Sequence, residues 1–494
     1  MSEKSLIAKV REAGAHTVVY GIGSALQTVL GYVLIPLYTG YFTTELYGVF
    51  SLLTLCGTLA GAFFFLGASS ALSRSYYDYP EGDERRQVIS TSLYLSLVGA
   101  AAQCGLGFLL RNELSQWLFD TTEYGPHVAV VLASSAMTFV ANVFYIVLRF
   151  QRKSWHVVGV NLLSLVATTG AIVYLLVWLK LGVMAPVLGM LVSQALVLAV
   201  LFWMCRRFIS LRYAKHEIPI QLQFGIPAVF IGLAYYTLDW ADRLIINQNA
   251  TLSEVGIYSL GYKLGIFIHT LFIAPFGQIW APMQMEYRHD SNAASLYTLI
   301  PTYYMMVGLA CTVPLSVFSR EFTAILARQH DYLIAWRIVA PVMLAHLVYG
   351  SLNVINNGIM FERKVMYLVY IFWGGVALNV GLNYWLVPRF GYEAAAYTKL
   401  ASYLVLAALV YVFSNKLYPV HLEGGRLARL VAGAVITIVI GVRIDLGTTM
   451  PTLAARAAVC LAFFASMLVA VLNGNEKAKL RALIGSASLI ARVR

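Results

Sequence analysis

The sequence is short of charge and has no recognisable catalytic signature, and each absence removes a class of protein. Asp, Glu, Lys and Arg make up only 12% of its 494 residues, about half the usual share of a soluble domain, too few for an ordinary water-facing surface. The five cysteines, Cys56, Cys104, Cys205, Cys311 and Cys460, all sit in apolar runs and none has a CxxC spacing, which argues against a disulfide scaffold and a metal site. There is no GxxxxGK[ST] loop for ATP, no HExxH and no GxSxG, and the loops expected outside the membrane are short, the longest lying around Ser319 to Leu333. An enzyme is therefore not expected, nor a bound cofactor. The opening MSEKSLIAKVREAGAH mixes both charge signs and has no A-x-A site, so no cleavable leader is expected.

What is present is apolar sequence. Hydrophobic residues make up 60% of the chain and mean hydropathy is +0.73, the composition of a polytopic membrane protein. Runs long enough to span a bilayer begin near His16, Leu46, Val88, His127, Trp155 and Gly182. Others begin near Phe224, Val255, Ala293, Ile334, Val365, Gly391, Leu427 and Ala454, about fourteen spans at about 20 residues each. Continuous rather than alternating apolarity makes them helices, not barrel strands. The net charge of +12 is spread in small basic clusters between these runs, which is topology and not nucleic-acid binding. The clusters, including Arg149, Arg152 and Lys153 and later Arg363 and Lys364, place both termini in the cytoplasm. The tail from Asn475 to Arg494 reads either as an amphipathic helix on the inner leaflet or as a frayed basic terminus. Pro36, Pro186, Pro227, Pro275, Pro282, Pro314 and Pro341 lie in or near spans, where kinks are expected. Gly57 and Gly61 form a GxxxG pair for close helix packing.

The chain repeats itself. ELYGVFSL at Glu45–Leu52 matches EVGIYSL at Glu254–Leu260, aligning Gly48 with Gly256 and Ser51 with Ser259. Further on, FQRK at 150–153 matches FERK at 361–364, and Gly182 and Gly391 begin corresponding spans. Two six-helix halves follow, and an even number of spans inserts them as parallel repeats. The expected organisation is an N-lobe over 1–215, a C-lobe over 216–420, and a final helix pair with a basic tail over 421–494.

Charge inside the spans falls in the second half. At the repeat offset, Asp242, Arg243 and Lys263 correspond to Leu34, Ile35 and Leu55. Ionisable groups at mid-bilayer cost about 2.5–3.5 kcal/mol on insertion scales and need a cavity or a partner. Asp239 and Arg243 have the acid-before-base spacing of a structural ion pair on one helical face. Lys263 and Lys399 lie about 12 Å deep by helical rise, and two lysines at one depth suggest a shared cavity. Arg243, Lys263 and Lys399, with Asp242, are read as a polar route for an anion, against the alternative of buried pairing for assembly. Asn353, Asn356 and Asn357, then Asn379 and Asn383, recur at helical spacing. Asn353, Asn357, Asn379 and Asn383 join the candidate substrate-binding residues, although such amides more often form interhelical hydrogen bonds.

LIPLYTGYFTTELYGVFSL at Leu34–Leu52 resembles the signature after the first span of Wzx-type polysaccharide transporters in the MOP flippase superfamily. ADRLIINQNATLSEVGIYSLGYKLG at Ala241–Gly265 and QIWAP at Gln278–Pro282 are similar to later motifs of that family. The resemblance implies a flippase for undecaprenyl-diphosphate-linked oligosaccharide, working by alternating access in a bacterial inner membrane. It also implies coupling to an H+ or Na+ gradient, membrane lipids as surroundings, and a polysaccharide polymerase and export machinery as partners. Asp242 and Arg243 match the family motif and Lys263 its adjoining segment, whereas Lys399 rests on depth. The alternative is an ion-coupled exporter of small molecules or drugs, the other branch of the same superfamily. A cation exporter wants acidic groups left over in its cavity, and here basic groups predominate.

Overall fold

In a lipid environment a backbone satisfies its own polar groups by coiling, and the computed structural model is helical throughout its described residues, 31–65, 67–151, 153–289, 293–447 and 449–470. The helices in the first half are α1 (Ile35–Tyr41), α2 (Thr44–Phe64), α3 (Ala68–Ser75), α4 (Asp83–Leu109), α5 (Arg111–Phe119), α6 (Gly125–Phe150), α7 (Ser154–Val173) and α8 (Met184–Cys205). Then come α9 (Glu217–Asn249), α10 (Leu252–Gly265), α11 (Ala274–Glu286), α12 (Ala293–Val317), α13 (Ser319–Leu326), α14 (Trp336–Ile355) and α15 (Asn357–Phe361). The last are α16 (Met366–Phe390), α17 (Tyr392–Leu417), α18 (Gly424–Arg443) and α19 (Thr449–Ala470).

Twelve helical stretches among the described residues are long and apolar enough to cross a membrane, so this is a multi-pass membrane protein. The run expected near Phe224 forms α9, a helix of 33 residues that is not among these twelve and extends about 50 Å at helical rise. The span expected near His16 lies outside the described residues except for its end, α1; Arg152 and the tail Asn475–Arg494 also lie outside them.

The chain forms two compact units. The first takes the described residues up to Leu260 with Leu326–Ile334 and Phe372–Thr398. Its core includes Leu72, Val140, Phe144, Val147, Val160 and Leu201. Gly57 and Gly61 face α6, where an added Cβ would overlap Val131 and the Phe139 ring, so this GxxxG pair is a packing surface. The second unit takes Gly261–Ile325, Ala335–Ile371 and the chain from Lys399 onward. There α12 packs on α14 and α18, with Gly308 against Leu347 and Gly441 against Val317.

Two prolines expected to kink spans lie instead in the first turn of a helix, Pro36 in α1 and Pro186 in α8, where an N–H has no intrahelical partner to lose. Pro275 opens α11 but lies inside one continuous helical stretch, Leu252–Glu286. Pro282, Pro314 and Pro341 are interior. A π-helical turn, His269–Ile273, precedes Pro275, a widening that relieves the carbonyls a proline ring would crowd.

The repeat appears in matching local turns. Gln151 and Lys153 donate their backbone N–H groups to Val147 and Leu148, and Glu362 and Lys364 donate theirs to Gly358 and Ile359, all at 2.9–3.0 Å. Both are helix terminations in which the chain reaches back one turn. Gly182 and Gly391 both take positive φ, 56° and 68°, a conformation that glycine adopts without a Cβ clash.

At the far end of the second unit, Arg456 is buried, pairs with Glu321 and donates Nη2 to the Ile444 carbonyl at 3.0 Å. Arg320 also bonds Asp445 at 3.2 Å. Arg456→Ala is expected to cost about 1–3 kcal/mol, less than a fully buried pair because Glu321 is part-exposed. Faster proteolysis between α18 and α19 with an otherwise intact chain would register it; unchanged cleavage would mean the pair anchors nothing.

Candidate functional site

The duplicated segments meet each other. Thr44, Gly48 and Ser51 on α2 recur at helical spacing, so they form one stripe down the helix. Opposite them lie Ser253, Gly256 and Ser259 on α10. Thr44 Oγ1 and Ser253 Oγ are 2.7 Å apart, and Ser259 Oγ donates to Ser51 Oγ at 2.7 Å, across a sequence separation of 208. A Cβ at Gly48 would overlap the Leu252 carbonyl, and one at Gly256 the Thr44 carbonyl. Gly48 and Ser51 thus meet their own counterparts, Gly256 and Ser259, while Thr44 bonds the residue after its counterpart, a nearly isologous contact. Because matching levels meet matching levels, the two helices run parallel, as the even number of spans requires. Small side chains let the backbones approach, and the hydroxyl bonds add on the order of 0.5–2 kcal/mol each.

Beside this seam lies the charged cluster of α9. Arg243 is 3% exposed, and its apolar counterpart Ile35 is fully buried; both positions face a core, and charge was added to only one. Its Nε donates to Ser259 Oγ at 3.1 Å, its Nη1 reaches the Asp239 main-chain carbonyl at 3.5 Å, and its guanidinium lies 4.2 Å from the Trp240 ring centroid. Arg243 therefore feeds a hydrogen-bond chain through Ser259 to Ser51. The cation over the indole face adds about 0.5–2 kcal/mol.

Asp242 is fully buried. Its Oδ2 accepts from the Tyr258 hydroxyl at 2.5 Å and its Oδ1 from Asn383 Nδ2 at 2.9 Å. Asn383 Nδ2 also reaches Asn379 Oδ1 at 3.2 Å, and Thr398 Oγ1 donates to Asn383 Oδ1 at 2.5 Å. Asn379 Nδ2 has no hydrogen-bond partner among the described residues. The first unit thus brings together Asp239, Asp242, Arg243, Asn379 and Asn383 from the expected set. Tyr258, Ser259 and Thr398 join them unanticipated; the repeat match at Ser259 was the one available signal. Both carboxylate oxygens of Asp242 are thus held by donors, one hydroxyl and one amide. No group of three His, Cys, Asp or Glu suited to a metal occurs among the described residues.

The second unit holds another cluster. Lys399 is fully buried, with Nζ 3.4 Å from Tyr262 Oη and 4.4 Å from that ring's centroid. Tyr262 Oη lies 3.0 Å from His346 Nε2. An ammonium only donates, so the Tyr262 oxygen accepts from Lys399 and shares a second hydrogen bond with His346 Nε2. Neither Tyr262 nor His346 was anticipated; a lone histidine in an apolar run was the signal for the latter. Lys399 meets the residue before Lys263, and Lys263 itself is half-buried.

The other asparagines divide. Gln284 Nε2 donates to Asn356 Oδ1 at 3.0 Å and to Asn357 Oδ1 at 2.7 Å, and Asn357 Nδ2 donates to the Val354 carbonyl at 2.9 Å. These amides bridge the break between α14 and α15 to α11. The Asn353 side chain is exposed, and its carbonyl accepts from Trp280 Nε1 at 3.1 Å.

The profile of a family described as "Polysaccharide biosynthesis protein" matches residues 42–329. None of the curated proteins matches the sequence at a significant level. Among solved structures, "Lipid II flippase MurJ, inward closed conformation" superposes with a TM-score of 0.75 at 14% identity, covering 91% of this chain and 98% of that one. An inward-facing multidrug resistance MATE family transporter of the MOP superfamily gives 0.62 at 15% identity, covering 79% and 94%. A mutant of the Vibrio cholerae MATE transporter VcmN gives 0.62 at 13%, covering 84% and 98%. At these identities the likeness is one of fold, that of membrane transporters and not of enzymes.

Proposed function

From the premise that this chain belongs to the polysaccharide biosynthesis protein family, we propose that it flips undecaprenyl-diphosphate-linked oligosaccharide across the bacterial inner membrane by alternating access, with both termini in the cytoplasm. The observation that carries the reading is the placement of Lys263 and Lys399 within helical stretches long and apolar enough to cross a membrane, and of the buried Arg243 on α9, in a chain of a glycan-pathway family. A diphosphate headgroup is anionic and loses its water on entering the bilayer, so cations held along its route lower that barrier. Lys263, half-buried, is the group best placed to meet the diphosphate, while Arg243 and Lys399 set the local potential from behind their aromatic and hydroxyl partners.

Coupling to a proton or sodium gradient belongs to the same proposal, and Asp242, ringed by oxygen and amide groups, is the carboxylate suited to it. A polysaccharide polymerase and the export machinery acting on the same glycan are its expected partners.

Lys263→Ala is expected to cut flipping of a fluorescent undecaprenyl-diphosphate glycan in proteoliposomes at least about tenfold, equivalent to about 1.4 kcal/mol, with normal amounts of protein in the membrane. Undiminished flipping would remove Lys263 from the route. The MATE-like fold makes an exporter of small molecules the second reading; gradient-driven uptake of a cationic dye without glycan flipping would favour it.

A further inference from the structure

We propose that a cavity within the first unit, walled by α2, α6, α7, α8 and α9, binds an uncharged, hydroxyl-rich ligand: the neutral sugar residues of the transported glycan. Its volume is about 530 Å³, within the range of small-molecule sites, about 300–1,000 Å³. Thr58, Ser134, Thr138, Asn142, Gln194 and Tyr236 contribute to its wall, and no Asp, Glu, Lys, Arg or His does. The absence of charge leaves no ion-pair partner for a phosphate.

The chemistry of the wall is specific. Thr54 donates its hydroxyl to the Ser51 carbonyl at 2.8 Å, Thr58 to Thr54 at 2.8 Å, and Thr138 to Ser134 at 3.0 Å. Their protons are engaged within their own helices, so the oxygens turned to the cavity can only accept. Asn142 and Gln194 carry amides that both donate and accept. A polyol, each of whose hydroxyls donates and accepts, suits such a surface. The rings of Phe139 and Tyr236, also on the wall, offer flat apolar faces for the C–H side of a pyranose.

Polar groups gluing helices together is the ordinary explanation, and it holds for Ser135 and Thr168 of the same wall, which bond Gln103 and Ser193 on neighbouring helices; Thr54, Thr58 and Thr138 bond within their own helices instead. Nor is a polar wall the default in this bundle. A second cavity of about 300 Å³ using the next face of α2 is lined by Leu55, Leu59, Leu106, Trp117 and similar groups. The polar lining is therefore particular to one face.

The sugar's identity as part of a lipid-linked glycan rests on the proposed function; the site itself is testable apart from it. In nanodiscs, the full chain would be exposed to two photoreactive amphiphiles with the same dodecyl chain and diazirine, one headed by maltose and one by phosphocholine. The maltoside is expected to label the α6 and α8 peptides containing Asn142 and Gln194 about tenfold more strongly, a difference of about 1.4 kcal/mol. That preference is expected to vanish in Asn142→Leu/Gln194→Leu. If the double variant does not fold, Thr138→Val, nearly isosteric, serves in its place and is expected to weaken labelling. Equal labelling by both headgroups, or labelling that survives in a folded variant, overturns the proposal. Strong maltoside labelling by a protein that flips no lipid-linked glycan would instead remove the flippase reading and leave the site standing.

Discussion

An Asp242→Leu protein is expected to lose transport altogether and to be less stable by about 3 kcal/mol or more, taking about 1.5–3 kcal/mol for each hydrogen bond to a charged group. The carboxylate accepts from Tyr258 and Asn383, and all three are buried. Leucine fills comparable space but removes the charged acceptor of the Tyr258 hydroxyl and of the Asn383 amide, both away from water. The loss should propagate, because Asn383 also accepts from Thr398 and reaches Asn379. Asp242→Asn should fall between the two. An amide offers one acceptor where the carboxylate offers two, so either the Tyr258 hydroxyl or the Asn383 amide meets a donor. Thermal unfolding in detergent, read beside glycan flipping, ranks the three proteins; a leucine variant that melts with the wild type would show that the network holds nothing together.

Gly256→Leu should be as damaging for a different reason. The Cβ of any substituent would overlap the Thr44 carbonyl and approach the Gly48 backbone. Helix backbone cannot rotate away as a side chain can, so the cost should exceed the about 1–3 kcal/mol usual for overpacking. Parting α2 from α10 would also break the Thr44–Ser253 and Ser51–Ser259 contacts and strand Arg243, which relies on Ser259. Little folded protein should reach the membrane. Gly48→Leu should match it, since the seam is symmetric; a well-expressed Gly48→Leu beside a lost Gly256→Leu would show that the two positions are not equivalent.

Much of this was legible in advance. Apolar runs of bilayer length became helices because lipid permits little else, and the match of Glu45–Leu52 to Glu254–Leu260 identified residues that touch. The partners of the charges were harder to see. Asn383 and Thr398 lie far along the chain from Asp242, and nothing in their local pattern separates them from amides and hydroxyls that serve packing, as Asn356 and Asn357 do. Counting residues from a helix end gives a depth for Lys263 and Lys399, but depth is one coordinate of three. Successive residues turn about 100° around a helix, so Tyr262 lies under Lys399 while Lys263 is half-buried on another side.

Composition and the internal repeat therefore determined the class of protein, its helices and its duplication, since these follow from transfer out of water and from periodicity along one helix. Tertiary structure alone decided which groups surround each charge and which face of α2 lines a polar cavity, because those depend on how helices distant in sequence are rotated against one another, and rotation is set by packing among all of them at once.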